Sequence, residues 1–273
     1  MVPVAIGSQT AGSVVRPAAF CGTLGLKATR GLVDLTGVMA LSANLDSLGW
    51  FAREGEDLAL LGAVLEDGWP GADADARPDT APPAFAFSRT PWWDRADADS
   101  RRAVEDAARR LAAAGAPVRE LELPERFAPL PDAHDALMAF DAARALAHEH
   151  EHHAGRLSDV LRALLDRGAK VERETADDAV ALGAECGALL AEHLRPGEAL
   201  LVPAVTGEPP RVEEHSTGDP WFCRPWTLAG VPALSVPGAT GASGAPVGVQ
   251  LVAPAGADAA LASSGAWAAA RRT

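Results

Sequence analysis

The 273-residue chain is poor in lysine: only Lys27 and Lys170 are present, and arginine carries the rest of its positive charge. With a formal charge of −13 at pH 7 and no basic stripe, it lacks the cationic face that phosphate binding needs, which argues against nucleic acid as a partner. Cysteine is scarce as well. Cys21, Cys186 and Cys223 are odd in number and far apart, fit neither a zinc spacing nor a disulfide framework, and point to a reducing, cytoplasmic setting. No apolar run approaches the ~20 residues a membrane-spanning helix requires, so no membrane association is expected. The opening MVPVAIGSQT has no basic region ahead of an apolar one and does not read as a secretory leader. Internal repeats are lacking too. What is present is apolar content: at 48% hydrophobic residues the chain can bury a core, as one large domain or two small ones.

Val2–Ile6 is an apolar run closed by Gly7 and predicts a buried strand. Residues 18–53, AAFCGTLGLKATRGLVDLTGVMALSANLDSLGWFAR, are punctuated by glycine with little periodicity and read as an ordered, loop-rich surround of a site. EDLALLGAVLED (56–67) predicts a helix that Gly68 could end, and residues 69–83, rich in Pro, Asp and Ala, read as an exposed linker. Phe85–Phe87, the helix within DADSRRAVEDAARRLAAAG, and Val118–Leu123 form a strand–helix–strand unit of the α/β kind. The signal is helical over 131–195. One apolar stripe is Leu157, Val160, Leu161, Leu164 and Leu165; a second is Val180, Ala184, Gly187 and Leu190. Strands are expected at 199–204, 233–238 and 247–253, and a last helix over 256–271.

The stretch GSQTAGSVVRP (7–17) crowds small and hydroxyl residues around Ser13. Taken alone, it is a Gly/Ser turn between two strands. Extended to GSQTAGSVVRPAAFCGTLGLKATRG, it resembles the core of the amidase signature family, whose mark is a Gly/Ser-rich loop running into R-P-A-x-F-C-G and G-L-K-x-T. The likeness continues in GVMALSANLDSLGWFAR, ALLVPA, STGDPWFCRPWTLAGVPALSVPG and PVGVQLVAPAGAD, and is weakest between about 69 and 195. It implies an α/β/α sandwich with a mixed twisted sheet covered by helices, here one incomplete domain over 1–273. The activity it implies is hydrolysis of a carboxylic amide to acid and ammonia or amine, with no metal or organic cofactor. Ser13 matches the acylated serine of the family. The N–H groups of Thr10, Ala11, Gly12 and Ser13 would form the oxyanion hole, at backbone angles that bulky side chains would resist. Trp221, Phe222 and Trp226 are the expected pocket walls, with core packing an equal reading for Trp226. Trp92 and Trp93 could cover the core or flank the pocket. A small-molecule amide is the expected partner, and a homodimer is a further expectation.

Two departures from the family stand out. The commoner form has an acid four residues before the serine and an arginine two after it. Here Gln9 replaces the acid and Arg16 stands three after Ser13, so a local ion pair is expected to give way to neutral hydrogen bonding. The family's base is a second serine, backed by a lysine, and both precede the nucleophile. Only 12 residues precede Ser13; none is a lysine, and Ser8, at the strand-to-loop turn, does not match the second serine. Lys27 matches the separate G-L-K-x-T position. The expectation is therefore a carboxy-terminal portion of an amidase, close to inactive by itself, with exposed apolar sheet surface and poor solubility. The rival readings are a glutaminase like the glutamine-hydrolysing component of a glutamyl-tRNA amidotransferase, and a non-catalytic remnant.

HEHEH (148–152) satisfies H-E-x-x-H, with His148 and His152 on one helical face, Glu149 as base and Glu172 or Glu174 as third ligand. The competing reading, a polar helix end, is preferred. His215 and Asp219 invite a triad with Ser13 but read better as a loop near the substrate entrance, and Asp46 as a carboxylate that fixes a loop.

Overall fold

The computed structural model describes residues 2–66, 69 and 82–271. Among them, eight strands form one mixed sheet: β1 (Val4–Gln9), β2 (Leu24–Lys27), β3 (Ser47–Ala52), β4 (Ala84–Phe87), β5 (Val118–Glu120), β6 (Glu198–Pro203), β7 (Ala233–Thr240) and β8 (Pro246–Val252). Their order is β1-β3-β2-β7-β8-β6-β4-β5. β4 runs parallel to both β5 and β6, and the remaining pairs are antiparallel.

Helices cover both faces. α1 (Val15–Cys21) lies on one face, and the glycines beneath it explain how closely. A Cβ at Gly25 would sit 2.5 Å from the Ala18 Cβ, and one at Gly248 would sit 2.6 Å from the Ala19 Cα. Gly25 pairs with Ser235, so the residue beside it on β7, Leu234, points to the opposite face. There it meets α9 (Asp258–Ala269), where a Cβ at Gly265 would fall 2.0 Å from Leu234. α2 (Gly55–Leu65) joins this second layer through β3: Trp50 donates its indole N–H to Leu58 O and meets Trp69 edge-on.

α3 (Ala98–Ala113) links β4 to β5, and an Asp97 carboxylate caps its start by accepting from Ser100 N. A helical layer follows: α4 (Leu130–Ala145), α5 (Ala147–His153), α6 (Asp159–Gly168) and α7 (Arg173–His193). α4 packs against α6, α7 and α8 (Arg224–Leu228) and carries that layer over the face occupied by α1.

The strands expected at 85–87, 118–123, 199–204, 233–238 and 247–253 and the helices at 56–67, 97–115 and 256–271 are present with small shifts of their ends. Other expectations are corrected. Val2–Ile6 is not a buried strand ended by Gly7: β1 runs on to Gln9 at the sheet edge, with Ile6 57% exposed. Ser8 is accordingly a strand residue. The loop-rich reading of 18–53 missed most of α1 and all of β2 and β3. On α6, Leu165 is buried and Leu161 and Leu164 pack beside it, but Val160 is 83% exposed. The buried line on α7 is Ala176, Ala179, Leu182, Cys186 and Leu190; Ala184 faces out. Gly187 belongs to the packing for another reason, since a Cβ there would reach Ala229 O at 2.9 Å. Most of the expected 69–83 linker lies outside the described residues, and its first residue, Trp69, is buried. Among the described residues, no helix is long and apolar enough to cross a membrane.

Candidate active site

Ser13 stands exposed on the turn between β1 and α1. A helix start leaves main-chain N–H groups without partners, and Val14, the residue at the cap position of α1, supplies no side-chain acceptor. Gln9 does so from the end of the preceding strand. Its fully buried Oε1 accepts from Val14 N at 2.9 Å and Val15 N at 3.0 Å, while Nε2 donates to Thr227 Oγ1 at 2.9 Å. The Thr227 hydroxyl hydrogen in turn faces Ala11 O at 2.9 Å and Cys223 O at 3.1 Å. The Gln9 and Arg16 side chains do not pair: the Arg16 guanidinium donates to Gly218 O. Neutral bonding thus does the work expected of an ion pair, as the exchange of an acid for Gln9 implied.

These contacts divide the turn's N–H groups. Those of Val14 and Val15 are occupied, whereas those of Thr10, Ala11, Gly12 and Ser13 reach no acceptor among the described residues. The small residues have a different cause from the one expected. Neither Gly7 nor Gly12 has a positive φ. Gly12 is required by close approach, because a Cβ there would lie 2.8 Å from Pro220 Cβ and 3.1 Å from Cys223 Cβ. The carboxy-terminal STGDPWFC segment therefore folds directly onto the Ser13 turn.

Thr10 is held from two sides. Its hydroxyl donates to Asp46 Oδ1, and Asp46 Oδ2 accepts from Leu41 N at 2.8 Å and Ser42 N at 3.0 Å. Asp46 is thus a loop-fixing carboxylate. Thr10 O is 2.8 Å from His134 Nε2. Burial drives the His134 pKa down to about 4, so the ring is neutral at pH 7 and Nε2–H is the donor, leaving the buried Nδ1 without a partner. Sequence reasoning missed His134. The available signal was its place on the Leu130–His134–Leu137 line of α4, where a histidine replaces an apolar residue.

The aromatic residues separate. Phe222 and Trp226 are each 1% exposed and belong to the core, Trp226 meeting Trp92 and Phe127 at ring distances of 6.2 and 6.3 Å. Trp221 alone of the three is partly exposed, with the Arg95 guanidinium 4.1 Å from its ring centre. Trp92 covers the core and donates to Ala128 O at 2.9 Å, while Trp93 lies against Phe87 and Arg101.

Among the described residues, no side-chain hydrogen bond joins His215 to Asp219 or either to Ser13; Asp219 instead faces Arg224 at 3.9 Å. His148 and His152 share a face of α5 with rings 4.8 Å apart. Among the described residues no three metal-ligating side chains converge, so Glu172 and Glu174 do not complete a set. Lys27 is buried on β2, its ammonium 2.6 Å from Ala28 O, and burial lowers its pKa to about 7. It makes no bond to Ser13. A thiol beside the turn, Cys223, is pushed up to about 12 by burial and is not a competing nucleophile at neutral pH.

An exposed serine thus stands on a strand-to-helix turn over a mixed sheet, met by a distant segment folded onto it. The family model described as Amidase matches residues 1–262, and the chain belongs to the amidase signature family. It is 33% identical over 278 residues to a 2-amino-5-chloromuconic acid deaminase of Comamonas testosteroni, covering 94% of this chain and 58% of the relative. It is 36% identical over 140 residues to the A component of the glutamyl-tRNA(Gln) amidotransferase of Carboxydothermus hydrogenoformans, covering 47% of this chain and 29% of that one. The fold superposes on a crystal structure of an amidase with a TM-score of 0.87 and 27% identity, covering 99% of this chain and 63% of the other. The chain thus spans about six-tenths of the length of relatives it matches end to end.

Proposed function

We propose that this chain carries the nucleophile and oxyanion hole of an amide hydrolase. As its proton passes to a base, the Ser13 oxygen attacks the amide carbon, and the carbonyl oxygen gathers negative charge toward the N–H groups of Thr10, Ala11, Gly12 and Ser13. Collapse of the tetrahedral species expels ammonia or an amine, which takes a proton as it leaves, and yields an acyl-serine that water then hydrolyses to the acid. The observation that carries this reading is Gln9. By occupying the Val14 and Val15 amides from beneath, it fixes the turn while the amides nearest Ser13 stay available. His134 and Asp46 act as positioning residues, because each holds Thr10 rather than the reacting atoms.

Ser13 has no side-chain base among the described residues. The family likeness assigns that role to a serine and a lysine, so the proposed reaction takes its base from groups other than the described side chains. A serine without its base partner loses on the order of a millionfold in kcat in the subtilisin case, and a comparable loss is expected here. The test is labelling with a fluorophosphonate probe followed by peptide mapping. Because the hydroxyl lacks its base, only slow modification at Ser13 is expected, abolished in Ser13→Ala and accompanied by negligible amide turnover. Labelling elsewhere overturns the assignment, and brisk turnover by the chain alone overturns the expected loss. The similarity to the amidotransferase component favours a second reading, a glutaminase delivering ammonia to a partner protein, which the same serine chemistry would serve.

A further inference from the structure

The segment that presses on the Ser13 turn carries positive charge that amide hydrolysis alone does not require. Arg224 is largely buried, its side chain 17% exposed. A guanidinium brings five N–H donors, and buried donors are nearly always paired. Yet among the described residues, the Arg224 side chain makes no hydrogen bond: Asp135 and Asp219 stand off at 3.7 and 3.9 Å, and its buried Nε has no partner. Asp135 is already engaged by Arg167 at 2.8 Å.

Trp221 lies between two such groups, with the guanidinium carbons of Arg95 and Arg224 4.1 and 5.7 Å from its ring centre. Arg16, which shares the neighbourhood of Asp219 and Arg224, uses a donor on Gly218 O. Arg16, Arg167 and Arg224 thus gather near two carboxylates, Asp135 and Asp219, while Arg95 lies on the Trp221 ring. In a chain of formal charge −13 this local surplus is the opposite of the overall balance. Arg224 itself follows Pro220 and Cys223, which touch Gly12, one position from Ser13.

We infer that the substrate is an amide bearing a carboxylate, and that Arg224 binds this carboxylate beside the exposed part of Trp221. A carboxylate matches the guanidinium fork, and a paired, partly desolvated contact of this type is among the stronger hydrogen-bonding arrangements. Arg95, on the same ring, adds attraction without being the primary anchor. The inference rests on Ser13 being the reacting serine, since it is the nearness of that turn that makes Arg224 a substrate contact.

The experiment is calorimetric titration of the purified chain with three ω-amido acids, succinamate, glutaramate and adipamate, and with the matching neutral diamides. At least one acid is expected to bind tenfold or more tightly than its diamide. Arg224→Gln should bring the pair within about twofold. Arg224→Lys should lose most of the preference, because a lysine keeps the charge but not the fork. Arg95→Gln, which leaves the partly buried Arg224 in place, should reduce the preference about threefold and serves if Arg224→Gln does not fold. Equal binding of acids and diamides, no binding of any acid at 10 mM, or an undiminished preference in both Arg→Gln variants overturns the inference. Fluorophosphonate labelling of the same sample reports on Ser13 separately. Labelled serine without acid preference removes the anchor and leaves the hydrolase reading; acid preference without labelling does the reverse.

Discussion

At the scale of single residues, two buried bases set how the chain responds to pH. Burial lowers Lys27 from 10.5 to about 7 and His134 from 6.5 to about 4. Both groups therefore bind protons more readily unfolded than folded, Lys27 between about pH 7 and 10.5 and His134 between about 4 and 6.5. Stability rises with pH wherever the unfolded chain holds more protons. Urea midpoints are accordingly expected to climb from pH 4 to 6.5 and again from 7 to 9.5. The Lys27 contribution approaches ~5 kcal/mol at its limit, from about 1.4 kcal/mol per pKa unit. Lys27→Met should flatten the upper rise and leave the lower one. Neither effect is legible in the sequence. Lys27 stands out there only as part of G-L-K-x-T, and His134 not at all, because burial of a polar side chain depends on what other segments lay over it. Ser13 is legible because its neighbours in sequence are also its neighbours in space.

At the scale of elements, legibility follows the range of the interactions that make them. α3, β6, β8 and α9 announce themselves by local pattern and by their stops, such as Gly115 at φ +93°. α1 does not. It has seven residues, an Arg-Pro pair in its first turn and no cap of its own; its start is satisfied by Gln9 from another element. A 3.6-residue pattern has no room to show in so short a helix. The dependence is testable. Gln9→Ala would strand the amides of Val14 and Val15 and one hydrogen-bond site on Thr227. At about 1 to 3 kcal/mol per orphaned buried group, partly relieved by water, a loss of about 3 kcal/mol is expected by urea unfolding. Fluorophosphonate labelling of Ser13 should also slow. An unchanged labelling rate alongside the stability loss would mean that the turn does not need this cap.

At the scale of the whole molecule, β1 forms one end of the sheet among the described residues, and Val2, Ile6, Met39, Leu60 and Val64 are each more than half exposed. An uncovered strand edge with apolar neighbours favours pairing with another chain. The purified chain is expected to self-associate at micromolar concentration, as a discrete dimer or as larger species, measured by light scattering across a dilution series. Ile6→Lys, at an outward position of β1, should shift the distribution toward monomer without lowering the melting temperature. A strictly monomeric wild type across that range would show that this surface is tolerated in water. Composition reveals the apolar content that makes this surface, but its placement follows from strand order, which no local pattern encodes.

β1 joins these scales. Among the described residues its first half is largely exposed, and its far end holds Gln9, the clasp beneath Ser13, the proposed nucleophile. Fraying that begins at the rim needs to travel only six residues to slacken the geometry on which chemistry depends. Anything that steadies this strand would, on the proposed reading, tune the serine from a distance, without ever meeting an amide.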